Sequence, residues 1–267
     1  MLTRRIVILS VLIGTGFPLP GSSQGMMDHI DMSSPEMTQA EMSREDVERL
    51  IAETLPGQTP DLSSKRLSGL DLSGIDFQGA NLKWARLNGT NLNSAKLRGV
   101  VLDLAWLIEA DLEQADLSQA NLFSTQLNRA NLKNAKLVGA RIVANLSQAD
   151  LRGADLRNAN LAPDMKNQSM GLMRAQFRSA KLDGADLSGT AASRVDFEFA
   201  SLRGARLDKA DFTGAELAGA DLTGASVAGL ELREADLASA TLKSLVGGDK
   251  IIGLSEAKNL NLAYTDN

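Results

Sequence analysis

Apolar residues recur at intervals of five along most of this chain, usually leucine, from Leu62 onward. An α-helix cannot use this spacing, because five residues advance about 500° around the helix axis and spread the leucines over every face. One long strand cannot use it either, because an odd spacing places successive leucines on opposite faces of the strand. Each five-residue unit must therefore contain its own corner.

The residues around each central leucine show where that corner lies. Alanine usually stands two residues before the leucine, aspartate or asparagine often one residue before it, and glycine often two residues after it. Alanine and leucine two residues apart point the same way in an extended segment and predict an inward-facing pair. In the stretch 222–225, Gly224 occupies the position at which a type II β-turn needs a positive φ. The unit therefore predicts a coil with flat sides, tight corners and a narrow core.

The register of five is disturbed at two places. It slips by one residue after Ile142, and residues 162–171 (APDMKNQSMG) interrupt it before it resumes as far as Leu242. About 36 units fit the register in total, whereas a solenoid needs about three repeats for stability. Chance does not explain a pattern of this length.

Several of these runs carry a family resemblance. ANLNSAKLRG, ADLRGADLRNANL and GADLTGA resemble the A(D/N)LXX motif of the pentapeptide-repeat proteins, over roughly residues 60–245. The resemblance implies an all-β solenoid, a right-handed quadrilateral β-helix with four pentapeptides per coil and about nine coils stacked about 4.8 Å apart. Leucine-rich repeats and left-handed hexapeptide helices have periods of about 20 to 29 and about six residues, so neither fits.

Residues 1–23 have the pattern of a cleavable export signal. A basic start, MLTRR, precedes about 12 apolar residues and then small and turn-forming residues suited to cleavage after Ser23. A transmembrane helix needs about 20 apolar residues, although an uncleaved anchor is the alternative. We therefore expect an exported protein, periplasmic or secreted, with no stable membrane span after cleavage. The pair Arg4-Arg5 also permits twin-arginine export.

Residues 24–42 form a Met-rich acidic segment that we interpret as a linker. It holds five of the nine methionines and the only histidine of the chain. Soft thioethers with an imidazole suit Cu(I), so we expect no cofactor but keep copper as the alternative. A methionine-flanked first turn of the coil is a further interpretation. The candidate copper ligands are Met26, Met27, His29 and Met32.

Segments on either side of the repeats are predicted to close the coil. Residues 43–58 predict a short helix, because Ser43 and Asp46 have the spacing of a capping box and apolar residues follow on one face. A solenoid end exposes unpaired backbone and leucine, so this helix is predicted to cap the β-helix of residues 59–245. The less regular residues 246–267 are predicted to close the other end.

The residue types argue against an enzyme. The chain has no cysteine and its single histidine lies in the predicted linker, so no Ser-His-Asp or Cys-His arrangement can form within the coil. Aspartates before the central leucines are plentiful, but their regular placement is typical of turn hydrogen bonding on a solvated face.

The charge of the repeats argues against nucleic-acid recognition. The best-known proteins of the family that this chain resembles protect type II topoisomerases by DNA mimicry, which needs a strong negative field. From Gly57 onward we count about 24 basic and 25 acidic residues, so the net charge of −5 comes almost wholly from the N-terminal segment. A basic stripe and an aromatic platform are also missing from the sequence. Topoisomerase protection is therefore the less favoured alternative.

We therefore predict a non-catalytic scaffold for protein–protein interaction with a partner that the sequence does not identify. In VVLDLAWLIEADL, apolar residues replace the usual polar outer residues, and Trp84 lies about one coil away. The interruption at 162–171 and the residues just after it add adaptable methionines. The candidate contact residues are Trp84, Leu104, Trp106, Ile108, Met165, Met170 and Met173.

Alternatives remain for both regions and for the partner. The first region is also consistent with local misregister or with burial under the N-terminal cap, and the second with a loop folded back on the coil. The resemblance to end-pairing rods keeps a homodimer among the expected partners.

Overall fold

The computed structural model describes residues 31–77, 79–163 and 173–266. The chain divides into two compact units, Met1–Met32 and Ser33–Asn267, and the second contains the repeats. Among the described residues, no helix is both long enough and apolar enough to cross a membrane.

The repeats form a coil with four sides. Parallel backbone bridges join residues 20 positions apart, and four such columns begin at Asp61, Arg66, Asp71 and Asp76. We call the sides that carry these columns side 1 to side 4, in that order. Neighbouring coils are held by main-chain hydrogen bonds, as where the Leu62 amide donates to the carbonyl of residue 81 at 2.8 Å. Two short parallel strands, β1 (Thr241–Leu242) and β2 (Tyr264–Thr265), continue the same ladder.

The corners have the geometry that the glycines predict, but glycine does not occupy all of them. At Gly224 φ is +72°, and the amide of Ala225 donates to the carbonyl of Leu222 at 3.0 Å. Many non-glycine residues also have positive φ at this position, among them Trp84 and Leu104. A side chain in this region carries a steric cost of about 1 kcal/mol or more, because Cβ approaches the backbone.

The core consists of the predicted inward pairs. The central leucines and the alanines two residues before them are buried along the coil. Phe197 stacks between Phe177 and Phe212, with ring centroids 5.1 and 4.9 Å apart. Threonine replaces the inward alanine in a few units, and its hydroxyl then donates to a backbone carbonyl, as Thr90 does to Leu67 at 2.9 Å. These buried hydroxyls are therefore satisfied.

Both disturbances of the register lie at the same corner. The slip falls between Arg141 on side 1 and Asn145 on side 2, and shortens the side 2 spacing to 19 residues. The interruption falls between the same two sides and lengthens the spacing from Asn145 to Gln176 to 31 residues. Pairing then returns to intervals of 20 residues. A corner can absorb extra or missing residues because the ladders on the sides stay in register. We call this corner, between sides 1 and 2, the first corner.

The N-terminal part of this unit contains two helices, α1 (Pro35–Thr38) and α2 (Arg44–Glu53). Ser43 and Asp46 form a reciprocal capping box at the start of α2, and Val47 and Ile51 pack into the core of the coil. The guanidinium of Arg44 donates to the carbonyls of residues 71 and 73, each at 3.0 Å, and ties the helix to side 3.

Residues 33–42 differ from the predicted linker. The amide of Glu41 donates to the carbonyl of Arg66 at 2.9 Å, and Met37 is only 5% exposed. This part of the Met-rich segment therefore lies against the coil, because the Met37 side chain is buried there and the Glu41 amide makes a hydrogen bond.

The ladder continues beyond the predicted boundary at residue 245. Successive pairs in the last coil widen from Ser226–Val246 to Glu231–Ile252, Asp236–Lys258 and Thr241–Tyr264, which adds one residue per side. Three short 3₁₀ turns, Gly248–Lys250, Leu254–Glu256 and Leu260–Leu262, absorb the extra residues. Residues 246–266 therefore form a last coil of longer units.

Candidate protein-interaction surface

Trp84 and Leu104 occupy equivalent positions of the first corner in neighbouring coils. The amide of Trp84 donates to the carbonyl of Asp103, the residue just before Leu104, at 3.0 Å. Both side chains are exposed, by 55% for Trp84 and 40% for Leu104, and both backbones have positive φ. The structure thus places two large apolar side chains outward at strained positions.

Three further apolar residues belong to the same coil as Leu104. Trp106 lies in the column of side 2 between Arg86 and Gln126, and Val101 lies in the column of side 1. Both are half-buried, and so is Ile108, which the register of five predicts to face outward. The amide of Ile108 donates to Asn88 Oδ1 at 3.0 Å, which holds this part of the turn against the coil. We call the set Trp84, Val101, Leu104, Trp106 and Ile108 the apolar corner patch.

The rim of the apolar corner patch is charged and balanced. Lys83 Nζ lies 3.7 Å from Asp103 Oδ2, Arg86 pairs with Glu36 at 4.0 Å, and Arg129 pairs with Glu109 at 2.7 Å. Such exposed pairs contribute little to stability, but they set a polar border around apolar surface.

The second predicted region reaches the same corner. Met173 Sδ lies 3.9 Å from the hydroxyl oxygen of Ser124, which follows Leu104 one coil further along the first corner. Met165 and Met170 lie outside the described residues. From the sequence, these are two separate candidate contact regions, because residues 104 and 173 are distant along the chain.

An ion-pair network holds the chain where it leaves the interruption. The guanidinium of Arg174 makes two 2.6 Å hydrogen bonds to the carboxylate of Glu216, two coils further along side 2. Burial is the largest single cause and lowers the pKa of Arg174, but the pair with Glu216 and the nearby carboxylates of Asp196 and Glu198 together raise that pKa above its ordinary value. Carboxylate oxygens of Asp196, Glu198 and Glu216 lie within 4.8 Å of one another. Because Arg178 pairs with Glu198, two arginines offset this acidic cluster.

The aspartates before the central leucines have the structural role that their regularity predicts. Asp71 Oδ1 accepts hydrogen bonds from the amide of Ser73 and from Asn91 Nδ2, both at 3.0 Å. The hydrogen bonds from Ser73 are the largest cause that lowers the pKa of Asp71. Such a carboxylate stays ionised and is occupied by the turn and the ladder, which suits structure rather than proton transfer.

The candidate copper ligands are largely outside the described residues. This holds for Met26, Met27 and His29, while Met32 is described and is 36% exposed. The copper site therefore stays a prediction.

Sequence reasoning missed the contacts that residues 33–42 make with the coil. Glu36 and Glu41 pair with basic residues of side 2, and Asn88 Nδ2 donates to the carbonyl of Met37 at 3.2 Å. The feature of the sequence that could have predicted these contacts is the pair Arg66 and Arg86. These residues are 20 positions apart and are therefore adjacent in one column. Adjacent like charges on a flat side indicate that acidic groups lie nearby.

Comparison with known proteins gives a family. A family model described as pentapeptide repeats matches in eight copies, over more than half of the chain. The matched residues are 66–103, 105–142, 144–162, 172–207, 193–229 and 215–244. Comparison with curated proteins gives no match.

Solved structures include proteins similar to this chain. HetL, a pentapeptide repeat protein involved in heterocyst differentiation regulation from the cyanobacterium Nostoc sp., is 31% identical; the match covers 84% of this chain and 95% of HetL, with a TM-score of 0.36. Full-length QnrB1, a plasmid-mediated fluoroquinolone resistance protein, is 16% identical over 78% of this chain and 92% of that one, with a TM-score of 0.46. A pentapeptide repeat protein from the Arabidopsis thaliana thylakoid lumen is 24% identical over 49% of this chain and 66% of that one, with a TM-score of 0.18.

The family model agrees with the four-sided coil and its buried Ala and Leu positions. Proteins built from these repeats are generally structural or interaction proteins rather than enzymes. The chain therefore belongs to the pentapeptide-repeat family, and its coil is a β-helix solenoid of the right-handed type that this family implies.

Proposed function

We propose that this protein is an exported, non-catalytic scaffold that binds another protein through the apolar corner patch. The single observation that carries the proposal is the pair Trp84 and Leu104, exposed and adjacent at positions of positive φ. The scaffold is about nine coils long and is capped by α2 at its N-terminal end.

Stability does not account for this pair. Glycine occupies the equivalent position of other turns, for example Gly214 at the first corner, where positive φ costs it nothing. A bulky residue there costs about 1 kcal/mol or more, and an exposed side chain recovers only part of that cost by burial. Many other non-glycine residues of the coil share this backbone region, so the size and exposure of the two apolar side chains distinguish Trp84 and Leu104 from them. Tryptophan is also among the residue types most enriched in the dominant contacts of protein interfaces.

The chemistry of the described residues supports a binding role over catalysis. The aspartates of the columns serve turns and ladders, and the acidic cluster of side 2 is paired with Arg174 and Arg178. A catalytic group needs a free carboxylate or a base beside a pocket for substrate.

The proposed location outside the cytoplasm rests on residues 1–23. Their basic start, short apolar run and small residues up to Ser23 have the pattern of a cleavable export signal. N-terminal sequencing of the protein recovered from its native cells tests this part of the proposal. A mature chain that begins at Gln24 supports export, and an intact Met1 in a cytoplasmic fraction contradicts it.

Site-specific photo-crosslinking tests the interaction function. A photo-reactive phenylalanine analogue replaces Leu104 in one variant and Lys209 in the control, because Lys209 also has positive φ but lies far along the coil. We expect one discrete adduct from position 104 in the native cells, none from position 209, and loss of the adduct when Trp84→Ser is added. The mass of the crosslinked adduct also shows whether the partner is a second copy of this chain. Equal labelling from both positions, or none from either, contradicts the proposal.

A further inference from the structure

Residues 33–42 of the chain lie on side 2 of the first coils. We call the surface that they contact, formed by Lys65, Arg66, Arg86 and Asn88, the seat. The Glu41 amide donates to the carbonyl of Arg66 at 2.9 Å, and Asn88 Nδ2 donates to the carbonyl of Met37 at 3.2 Å. The Met37 side chain is 5% exposed, whereas Glu36 and Gln39 on either side of it are exposed. Met37 therefore anchors the middle of this short segment on an outer surface of the coil, and the half-buried Met42 packs against the core at its end.

The charges of segment and seat are complementary. The Glu41 carboxylate lies 3.3 Å from Arg66 and 3.7 Å from Lys65, and Glu36 lies 4.0 Å from Arg86. Arg66 and Arg86 are bridge partners in the column of side 2. Without the segment, these like charges would face solvent together.

The segment is held by few interactions. Helix α1 has only four residues, and its N-cap residue Ser34 makes no side-chain capping hydrogen bond. The ion pairs between residues 33–42 and the coil are partly or largely exposed, and such pairs contribute little to stability. Segments with few buried apolar contacts open locally at low cost.

The seat is continuous with the apolar corner patch. Asn88 contacts the Met37 carbonyl through Nδ2 and accepts a hydrogen bond from the Ile108 amide through Oδ1. Arg86, which pairs with Glu36, is also the bridge partner of Trp106. A ligand on the seat that is longer than residues 33–42 would therefore reach the patch.

We propose that this seat is the docking site for a short acidic peptide of a partner protein, with an apolar side chain as its anchor. In the free protein, Glu36, Met37 and Glu41 of the chain itself occupy the site. The inference rests on the proposed interaction function, because it supplies the chemistry of the partner.

A peptide-binding measurement on the full chain tests the inference. The probe is a fluorescein-labelled peptide of residues 33–42, SSPEMTQAEM, followed by anisotropy, with a scrambled peptide as control. The double variant Met37→Ser with Glu41→Gln weakens the internal segment, and Gln39→Ala is the matched control in the same segment. We expect the double variant to bind the probe at least about tenfold more tightly than the unchanged chain, because a tethered segment competes at millimolar effective concentration. Gln39→Ala should behave like the unchanged chain.

The second part of the peptide-binding experiment reverses the charge of the seat. Adding Arg66→Glu and Arg86→Glu to the double variant should weaken probe binding at least about tenfold. Equal binding to the unchanged chain and the double variant, or no effect of the charge reversal, overturns the inference. If the probe fails while the Leu104 crosslink persists, the docking site is wrong and the interaction function stands.

Hydrogen exchange on the unchanged chain keeps the inference testable if a variant does not fold. The Glu41 amide should exchange much faster than the Leu87 amide, which donates to the carbonyl of Trp106 within the ladder at 2.6 Å. Equal protection of the two amides would mean that the segment opens only with the coil, and would overturn the inference.

Discussion

At the scale of single residues, the corner position decides what each unit can tolerate. Gly224 and Leu104 both have positive φ, yet only glycine adopts it without steric cost. The sequence predicted the glycine corners from the turn type. Trp84 and Leu104 stand two residues after Leu82 and Leu102, so the register of five places them at this same corner position. The sequence does not show how far their side chains stay exposed there.

Gly247→Ala should lower the free energy of unfolding by more than Gly204→Ala does. Both glycines have positive φ, so each substitution carries a cost of about 1 kcal/mol. A Cβ at residue 247 would also lie 3.1 to 3.3 Å from atoms of Ala228, whereas nothing lies within 4 Å at residue 204. Chemical denaturation of the two variants measures the difference, and equal losses would contradict the packing described here.

Asp155→Asn should destabilise the protein at neutral pH and not at low pH. The Arg157 side-chain hydrogen bond is the largest cause that lowers the pKa of Asp155 below its ordinary value of 3.8, and burial opposes it. A lowered pKa gives stability that is full above 3.8 and is lost as pH falls through the lower folded value. We expect a loss of about 1 kcal/mol or less at pH 7, because Arg157 is largely exposed. A loss that is unchanged near pH 2 would contradict this assignment.

At the scale of elements, local signals predicted local structure. The spacing of Ser43 and Asp46 predicted the helix of residues 43–58, and α2 spans Arg44–Glu53 with that capping box. The seat of residues 33–42 was not predictable in this way. It depends on contacts such as Met37 with Asn88, which are 51 residues apart and meet only when the coil brings side 2 beside the segment.

Arg174→Gln should destabilise the protein more than Arg129→Gln. Arg174 makes a two-point, partly buried pair with Glu216, whereas Arg129 and Glu109 are both more than half exposed. We expect a loss of about 1 to 2 kcal/mol for the first and less than about 0.5 kcal/mol for the second. Urea denaturation measures both, and equal losses would show that the network does not hold the chain after the interruption.

The Met-rich segment carries the copper prediction. On the scaffold account, Cu(I) should leave the unfolding temperature of the protein unchanged. Anaerobic Cu(I) titration of the full chain and of His29→Ala provides the measurement. Tight binding that His29→Ala abolishes would make metal handling a function of residues 24–42.

At the scale of the whole molecule, the period of five predicted the coil and its inward residues. The ladder also shows why the slip and the interruption are tolerated, since both fall at the first corner while the sides stay paired. Their shared corner follows from the sequence only once four units per coil are assumed, because the four units from Leu146 to Leu161 then form one full coil between them. The contact of Met173 with Ser124 could not be predicted from the sequence alone, because the two lie 49 residues apart along the chain.

The near balance of basic and acidic residues from Gly57 onward matters at this scale too. A surface without a strong net field gives no general attraction for nucleic acid, so recognition has to come from local patches. The apolar corner patch is such a local feature, and under the proposed function its rim of paired charges would select a partner without long-range attraction.

The affinity of the crosslinked partner for two matched variants tests the central claim most directly. Trp84→Ser removes the exposed tryptophan of the patch, and Phe199→Ser removes a similarly exposed aromatic residue with the same backbone geometry at another corner. We predict that Trp84→Ser weakens binding at least about tenfold and that Phe199→Ser leaves it unchanged. Equal affinities for the two variants would contradict the assignment of the interaction surface to the first corner.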